Sequence, residues 1–398
     1  MRGLKTLLVI FFAVAASLVL IFFINEHDNK NKEPNIPQVT TESKTTITSE
    51  QHTKQTISVT PTQPASPTTN KQTNNTENNN TEENKEPVDY SIIRPDESGE
   101  IPIVMFHNFI EDLNNTNDNY WTTSYDEFEK LLETLYYNNF RLISMRDFID
   151  HNISVPAGKF PMVFTFDDGT PGQYNLIEVD GKLEVNPKSA VGVMLKFHEK
   201  HPEFGLKGVF YLNMDKENKT FEGAGSLKER LGILLGYGFE VGNHSWGHVK
   251  FGELKEKAEI NERLGKNQKY LEGIIDGLKF YSLALPHGIE APEALTGDMI
   301  SGKYEGVQYI NETIMAVGFL PSVPSIHTEY NPSYVRRIRS QGKVEEKYDL
   351  TYWLPLMTRD RMYISDGNPD LVVVPENKVN YINTDKLNGK KLVTYRLK

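Results

Sequence analysis

From Tyr90 to the carboxyl terminus, short runs of β-branched and aromatic residues alternate with longer amphipathic stretches, a rhythm that few architectures accommodate. Strands are predicted at Ile101–Phe106, Arg141–Met145, Pro161–Phe166, Gly208–Leu212, Phe239–Gly242 and Tyr281–Leu285. Ser124-Tyr125-Asp126-Glu127 is a capping box that opens a helix running to about Tyr137. Further helices are predicted over Pro187–Lys200, Leu227–Gly236 and Leu254–Ile275. Such alternation argues for an α/β fold, a parallel sheet or barrel wrapped in helices. Folds of this kind collect their chemistry at the carboxyl ends of the strands. After a main domain over residues 90–350, Arg361–Ser365, Leu371–Val374 and Leu392–Arg396 predict extra strands in a β extension over 351–398.

The first quarter of the 398 residues has a different character. Arg2 and Lys5 precede an uninterrupted apolar run from Leu7 to Ile24. That run would span about 27 Å as a helix, close to the hydrocarbon thickness of a bilayer. The charge ahead of it keeps the amino terminus in the cytoplasm. Residues 1–24 are therefore expected to be a transmembrane signal-anchor, with the rest exported and held at the cell membrane. Ala13-Val14-Ala15 leaves a cleaved secretory signal as the alternative. Residues 25–89 are rich in Thr, Asn, Gln, Pro, Lys and Glu and poor in large apolar side chains, so a disordered linker is expected.

Composition narrows the functional classes. The net charge is −11 with both signs interspersed, which argues against a nucleic-acid partner. There is no cysteine, so disulfides, thiolate metal sites and cysteine nucleophiles are excluded, and any metal site must be built from His, Asp and Glu. No Gly-x-Ser-x-Gly elbow marks a serine hydrolase.

Three segments stand where predicted strands end: Thr165-Phe166-Asp167-Asp168-Gly169, Asn243-His244-Ser245-Trp246-Gly247-His248 and Leu285-Pro286-His287-Gly288. Singly, the first and third are ordinary turns. The histidines of the second, four apart, would share one face of a helical turn and reach one ion. Together, two His and one Asp make a three-ligand site with positions left for water, the layout of a hydrolytic metal, with the other Asp beside it as general base.

With these segments the sequence resembles the polysaccharide deacetylases of carbohydrate esterase family 4, whose NodB homology fold is a distorted (β/α) barrel. Thr165–Gly169 and His244–His248 match the first two motifs of that family, and Ile101–His107 resembles the branch that deacetylates poly-N-acetylglucosamine. The resemblance covers roughly residues 100–340. It implies Asp167 as catalytic base, Asp168, His244 and His248 as ligands of a divalent metal, and His107 as general acid. It also implies that the Pro286-His287 turn holds the oxyanion through the His287 main-chain N–H. Zinc is the expected metal, with cobalt or nickel also compatible with such ligands.

The sequence also departs from the family. Ala284 stands where an orienting Arg is usual, and Arg336 or Arg337 is the candidate replacement; Arg337 is carried forward with Pro286 and His287 on the oxyanion and substrate side. His327, in a weak echo of a late histidine motif, rivals His107 as acid. Residues 170–189 exceed the usual connection, as a wall of the substrate groove or a plain surface excursion. The expected activity is N-deacetylation of an envelope amino-sugar polymer, peptidoglycan or poly-N-acetylglucosamine, with no obligate protein partner. An O-acetyl esterase and a non-catalytic binding relic are the alternatives.

Overall fold

The computed structural model describes residues 89–118, 120–340, 342 and 347–397. The expected anchor and nearly all of the expected linker lie outside the described residues. Among the described residues, no helix is long and apolar enough to cross a membrane.

The central element is an eight-stranded sheet: β1 (Ile103–Phe106), β2 (Phe140–Leu142), β3 (Phe160–Asp167), β4 (Val209–Leu212), β5 (Glu240–Asn243), β6 (Ser282–Ala284), β7 (Thr313–Met315) and β8 (Ile338–Arg339). The order is β7-β6-β5-β4-β3-β1-β8, with β2 joined to the start of β3, and every pairing is parallel. The two ends of this path meet. Val335, just before β8, bridges Met315 of β7, its N–H donating to Ile314 O at 2.8 Å and its carbonyl accepting from Ala316 N at 2.9 Å. The sheet thus curls until its edges touch, which leaves little unpaired edge for another chain to extend.

All eight residues of β3 are buried, as a central parallel strand requires. Period-two alternation divides them. Phe164 and Phe166 point outward, joining Val104, Phe106, Phe210 and Val241 beneath the helices Tyr125–Tyr137, Ala190–Lys200 and Leu227–Gly236. Val163 points inward, where it packs with Ile103, Val209, Tyr211, Ala284, Met315 and Val335. Thr165 and Asp167 follow on that inner side, so the last residue of the strand carries a carboxylate into the mouth of the barrel.

The capping box of Ser124 and Glu127 forms, and the helix ends at Tyr137 as the sequence indicates. A second box, Ser226 with Glu229, starts Leu227–Gly236. The expected strand Arg141–Met145 is shorter, because Ser144 caps a helix over Met145–Ile149 through Asp147. The expected strand Arg361–Ser365 is corrected to an irregular segment, in which only Met362 and Ile364 bridge to Glu100 and Asp96. Leu371–Pro375 and Lys391–Tyr395 do pair, in parallel, as a small separate sheet. It is tied to the start of the domain by Glu97 N–H donating to Val373 O at 3.0 Å.

Candidate active site

Strand register brings the three segments to one rim. Phe106 pairs with Phe166, Asp167 with Tyr211, and Leu212 and Leu283 both with Asn243. His107, Asp168 and His244 each lie one residue beyond their strands, at the carboxyl end of the sheet.

The adjacent carboxylates avoid each other by a turn of the chain. Asp168 sits at φ 82° and Gly169 at φ 64°, and a Cβ on Gly169 would approach Leu212 Cδ2 to 2.9 Å. Asp and Gly are the residues that tolerate such left-handed backbone. Asp167 therefore stays inside the barrel while Asp168 swings toward the histidines. Its Oδ1 lies 3.7 Å from His244 Nε2 and 3.5 Å from His248 Nε2. The two histidines are not on a helical turn as their spacing suggested: Ser245, Gly247 and His248 all have positive φ, and this irregular turn folds the second ring back onto the first. Their ring centroids are 4.9 Å apart.

His244 Nδ1 is 2.9 Å from Ala284 O. That contact places the proton on Nδ1 and leaves the Nε2 lone pair facing Asp168. One carboxylate oxygen and two imidazole nitrogens, all within 4.8 Å of one another, fit a divalent metal ion.

Asp167 meets Arg337 as a fork: Nη1 to Oδ1 at 2.7 Å and Nη2 to Oδ2 at 2.8 Å. Neither side chain is more than 1 % exposed. Arg337 also donates through Nε to Ala316 O at 2.9 Å and through Nη1 to Thr165 Oγ1 at 3.2 Å. Burial, the largest single influence, would raise the Asp167 pKa, but the charge and hydrogen bonds of Arg337 together with His244 and His107 outweigh it and hold the carboxyl down to about 2. The structure thus puts Arg337 on the neighbouring Asp167 rather than on the substrate side, and it decides between the two adjacent arginines.

His107 Nε2 lies 3.9 Å from Asp167 Oδ2, with its ring 4.6 Å from that of Trp121. Burial pushes this imidazole below the ordinary histidine range, against the pull of Asp167 and Asp168. His327 is elsewhere: it stacks on Tyr381 at 5.4 Å and accepts Glu329 N–H at 3.0 Å, in the contact with the C-terminal sheet. Pro286 is buried in a one-turn helix, and His287, at φ 57°, sets its ring 4.4 Å from that of His248.

A scaffold of buried amides, unmarked in the sequence, supports the rim. Gln173 Nε2 donates to the carbonyls of both His107 and Asp167, fastening β1 to β3 just where the chain leaves them. Asn213 Nδ2 donates to His244 O at 2.5 Å. Asn243 Oδ1 accepts from Ser245 N–H at 2.9 Å and from Asn267 Nδ2 at 2.8 Å. The long segment 170–189 thus begins as a brace under the site. It continues as an antiparallel hairpin, Leu176–Val179 with Lys182–Val185.

Residues 154–297 match the family model described as polysaccharide deacetylase. This stretch is a polysaccharide deacetylase domain. The domain is that of a hydrolase acting on amide bonds, and it takes in Asp167, Asp168, His244, His248, Pro286 and His287, while His107 and Arg337 lie outside the matched residues. No curated protein matches the chain by sequence. Among solved structures, the chain is similar to a polysaccharide deacetylase from Bacillus cereus, at 17 % identity over 66 % of this chain and 70 % of that one, with a TM-score of 0.48. It is similar to the Streptococcus pyogenes deacetylase PplD in complex with acetate (14 %, 66 % and 99 %, 0.48). IcaB from Ammonifex degensii is a third (17 %, 63 % and 95 %, 0.44).

Proposed function

We propose that the deacetylase domain removes N-acetyl groups from an amino-sugar polymer of the cell envelope, with a divalent cation, zinc in the first place, at Asp168, His244 and His248. The observation that carries this reading is the convergence of those three donors beside a buried carboxylate clamped by Arg337. A cation bound there supplies Lewis-acid polarisation of a carbonyl and a water of lowered pKa.

The remaining work falls to the chain. Asp167, ionised and fixed in orientation by the guanidinium, accepts the proton of the attacking water. The His287 main-chain N–H donates to the developing oxyanion, a role open to any residue type at that position. His107, across from Asp167, delivers a proton to the departing nitrogen. A C–O bond forms, the C–N bond breaks, and acetate and a free amine result.

The experiment is acetate release from N-acetylated chitooligosaccharide and from peptidoglycan fragments, before and after chelation and metal restoration. Release that depends on metal and leaves a free amine supports the reading; acetate without amine from peptidoglycan fragments carrying O-acetyl groups, with none from the chitooligosaccharide, assigns an O-acetyl esterase, and no release from any polymer overturns it. The envelope location rests on Leu7–Ile24 alone and is tested by fractionation of cells expressing the full chain.

A further inference from the structure

Several large apolar side chains on this domain are exposed, and four aromatic ones gather along one part of the rim. Trp121 is 38 % exposed, Phe319 57 %, Tyr348 37 % and Tyr352 36 %. Phe319 and Tyr348 have centroids 5.7 Å apart, and Tyr348 and Tyr352 5.0 Å. Arg339 connects this trio to Trp121. Its guanidinium lies 5.3 Å from the Trp121 ring, and its Nη2 lies 3.9 Å from the carboxylate of Asp349, the residue after Tyr348.

The arrangement is held by the fold. Phe319 bridges Ile338, the residue between Arg337 and Arg339, and its carbonyl accepts Trp353 Nε1–H at 2.8 Å. Tyr348 occupies φ 75°, a conformation that bulky side chains rarely adopt. Strained backbone of this sort persists where the surrounding structure enforces it, and it clusters at binding sites. The arc is also continuous with the reaction centre, because Trp121 rests against His107.

We propose that Trp121, Phe319, Tyr348 and Tyr352, arranged about Arg339, form a subsite that binds the sugar rings of the polymer next to the unit being deacetylated. The proposal rests on the deacetylase reading and adds to it where the chain grips its substrate. A pyranose has an apolar C–H face and a polar rim. The exposed ring faces suit the first, and the partly exposed Arg339 guanidinium, held by buried Asp349, suits hydroxyls and amides of the second. A tilted row of rings takes several sugars in succession, so the subsite discriminates by chain length. Ordinary soluble surfaces seldom gather exposed apolar rings in this way without a partner.

The test combines kinetics with binding. Phe319→Ala and Tyr352→Ala, singly and together, are compared with wild type on N-acetylglucosamine oligomers of two to six units. Ile310→Ala, an exposed apolar residue on a remote hairpin, serves as control. We expect kcat/KM on the hexamer to fall about tenfold in the double variant, through KM, with the dimer unaffected. Phe319→Tyr, which keeps the ring, should restore it. In parallel, hexamer titration followed by tryptophan fluorescence should show about the same loss of affinity, whether or not the protein turns over. Equal losses on dimer and hexamer, or none on either with wild-type melting behaviour, would overturn the subsite while leaving the deacetylase reading in place. Absence of acetate release by wild type with hexamer binding intact would overturn the deacetylase reading instead.

Discussion

Arg337 and Asp167 are a charge pair shut away from solvent, and such pairs respond badly to losing one partner. Arg337→Ala should lower unfolding free energy by about 3–5 kcal/mol in a urea titration, because it strands a carboxylate. Arg337→Lys should recover part of the stability but little acetate release, since an ammonium cannot fill both oxygens of the fork. Asp167→Asn should cut acetate release by about 10²–10⁴-fold while metal content stays stoichiometric. His244→Ala should do the reverse to metal content, and mass spectrometry of the native protein separates the two cases. The convergence of Asp168, His244 and His248 was legible because they sit in contiguous motifs at strand ends. Arg337 was legible only as one of two neighbours, since nothing local distinguishes it from Arg336. Alternation just ahead of β8, with Val335 inward and Ile338 outward, is what selects it. Gln173, Asn213 and Asn267 left no trace because an amide that braces a loop has no characteristic spacing.

A start signal helped at Ser124 and went unread at Ser144, whose box with Asp147 opens a helix inside an expected strand. The helices begun by Ser124 and Ser226 both end where expected; at Ser124 a capping box supplied the start signal, whereas the Ser226–Glu229 box became visible only in the structure. Ser226→Ala should therefore cost about 1 kcal/mol in chemical denaturation, within the range for N-caps, with acetate release unchanged. β7 and β8, of three and two residues, were not read as strands, because so short a run shows no alternation. Arg361–Ser365 had the right residues for a strand but follows the rim of the domain with only isolated bridges, so tertiary context overrode propensity. The histidine turn shows the same limit: a spacing of four was right about proximity and wrong about helix, because three left-handed residues close the gap by another route.

At the scale of the whole molecule, the α/β alternation was visible, whereas the strand order and the closure at Val335 depend on contacts between residues far apart in sequence. The same is true of the junction between the small C-terminal sheet and the segment near residue 97. Glu97 is 2 % exposed there, accepts N–H bonds from Val373 and Asp366, and faces Asp366, Tyr363, Tyr90 and Lys390. Burial first, then the Asp366 charge, pushes its carboxyl up to about 8. A raised acid favours the folded state while protonated, so its contribution is complete below the unfolded value of 4.5 and is lost as pH climbs to about 8. Melting temperature should decline across that window, and Glu97→Gln should flatten the decline. Asp167 and Arg337 are 170 positions apart in the chain. A chain ending before Arg337 would hold the His244–His248 loop but lack the charge partner that lets Asp167 be buried ionised. Loss of the segment that carries Arg337 should therefore leave Asp167, the proposed base, without the guanidinium that fixes its orientation.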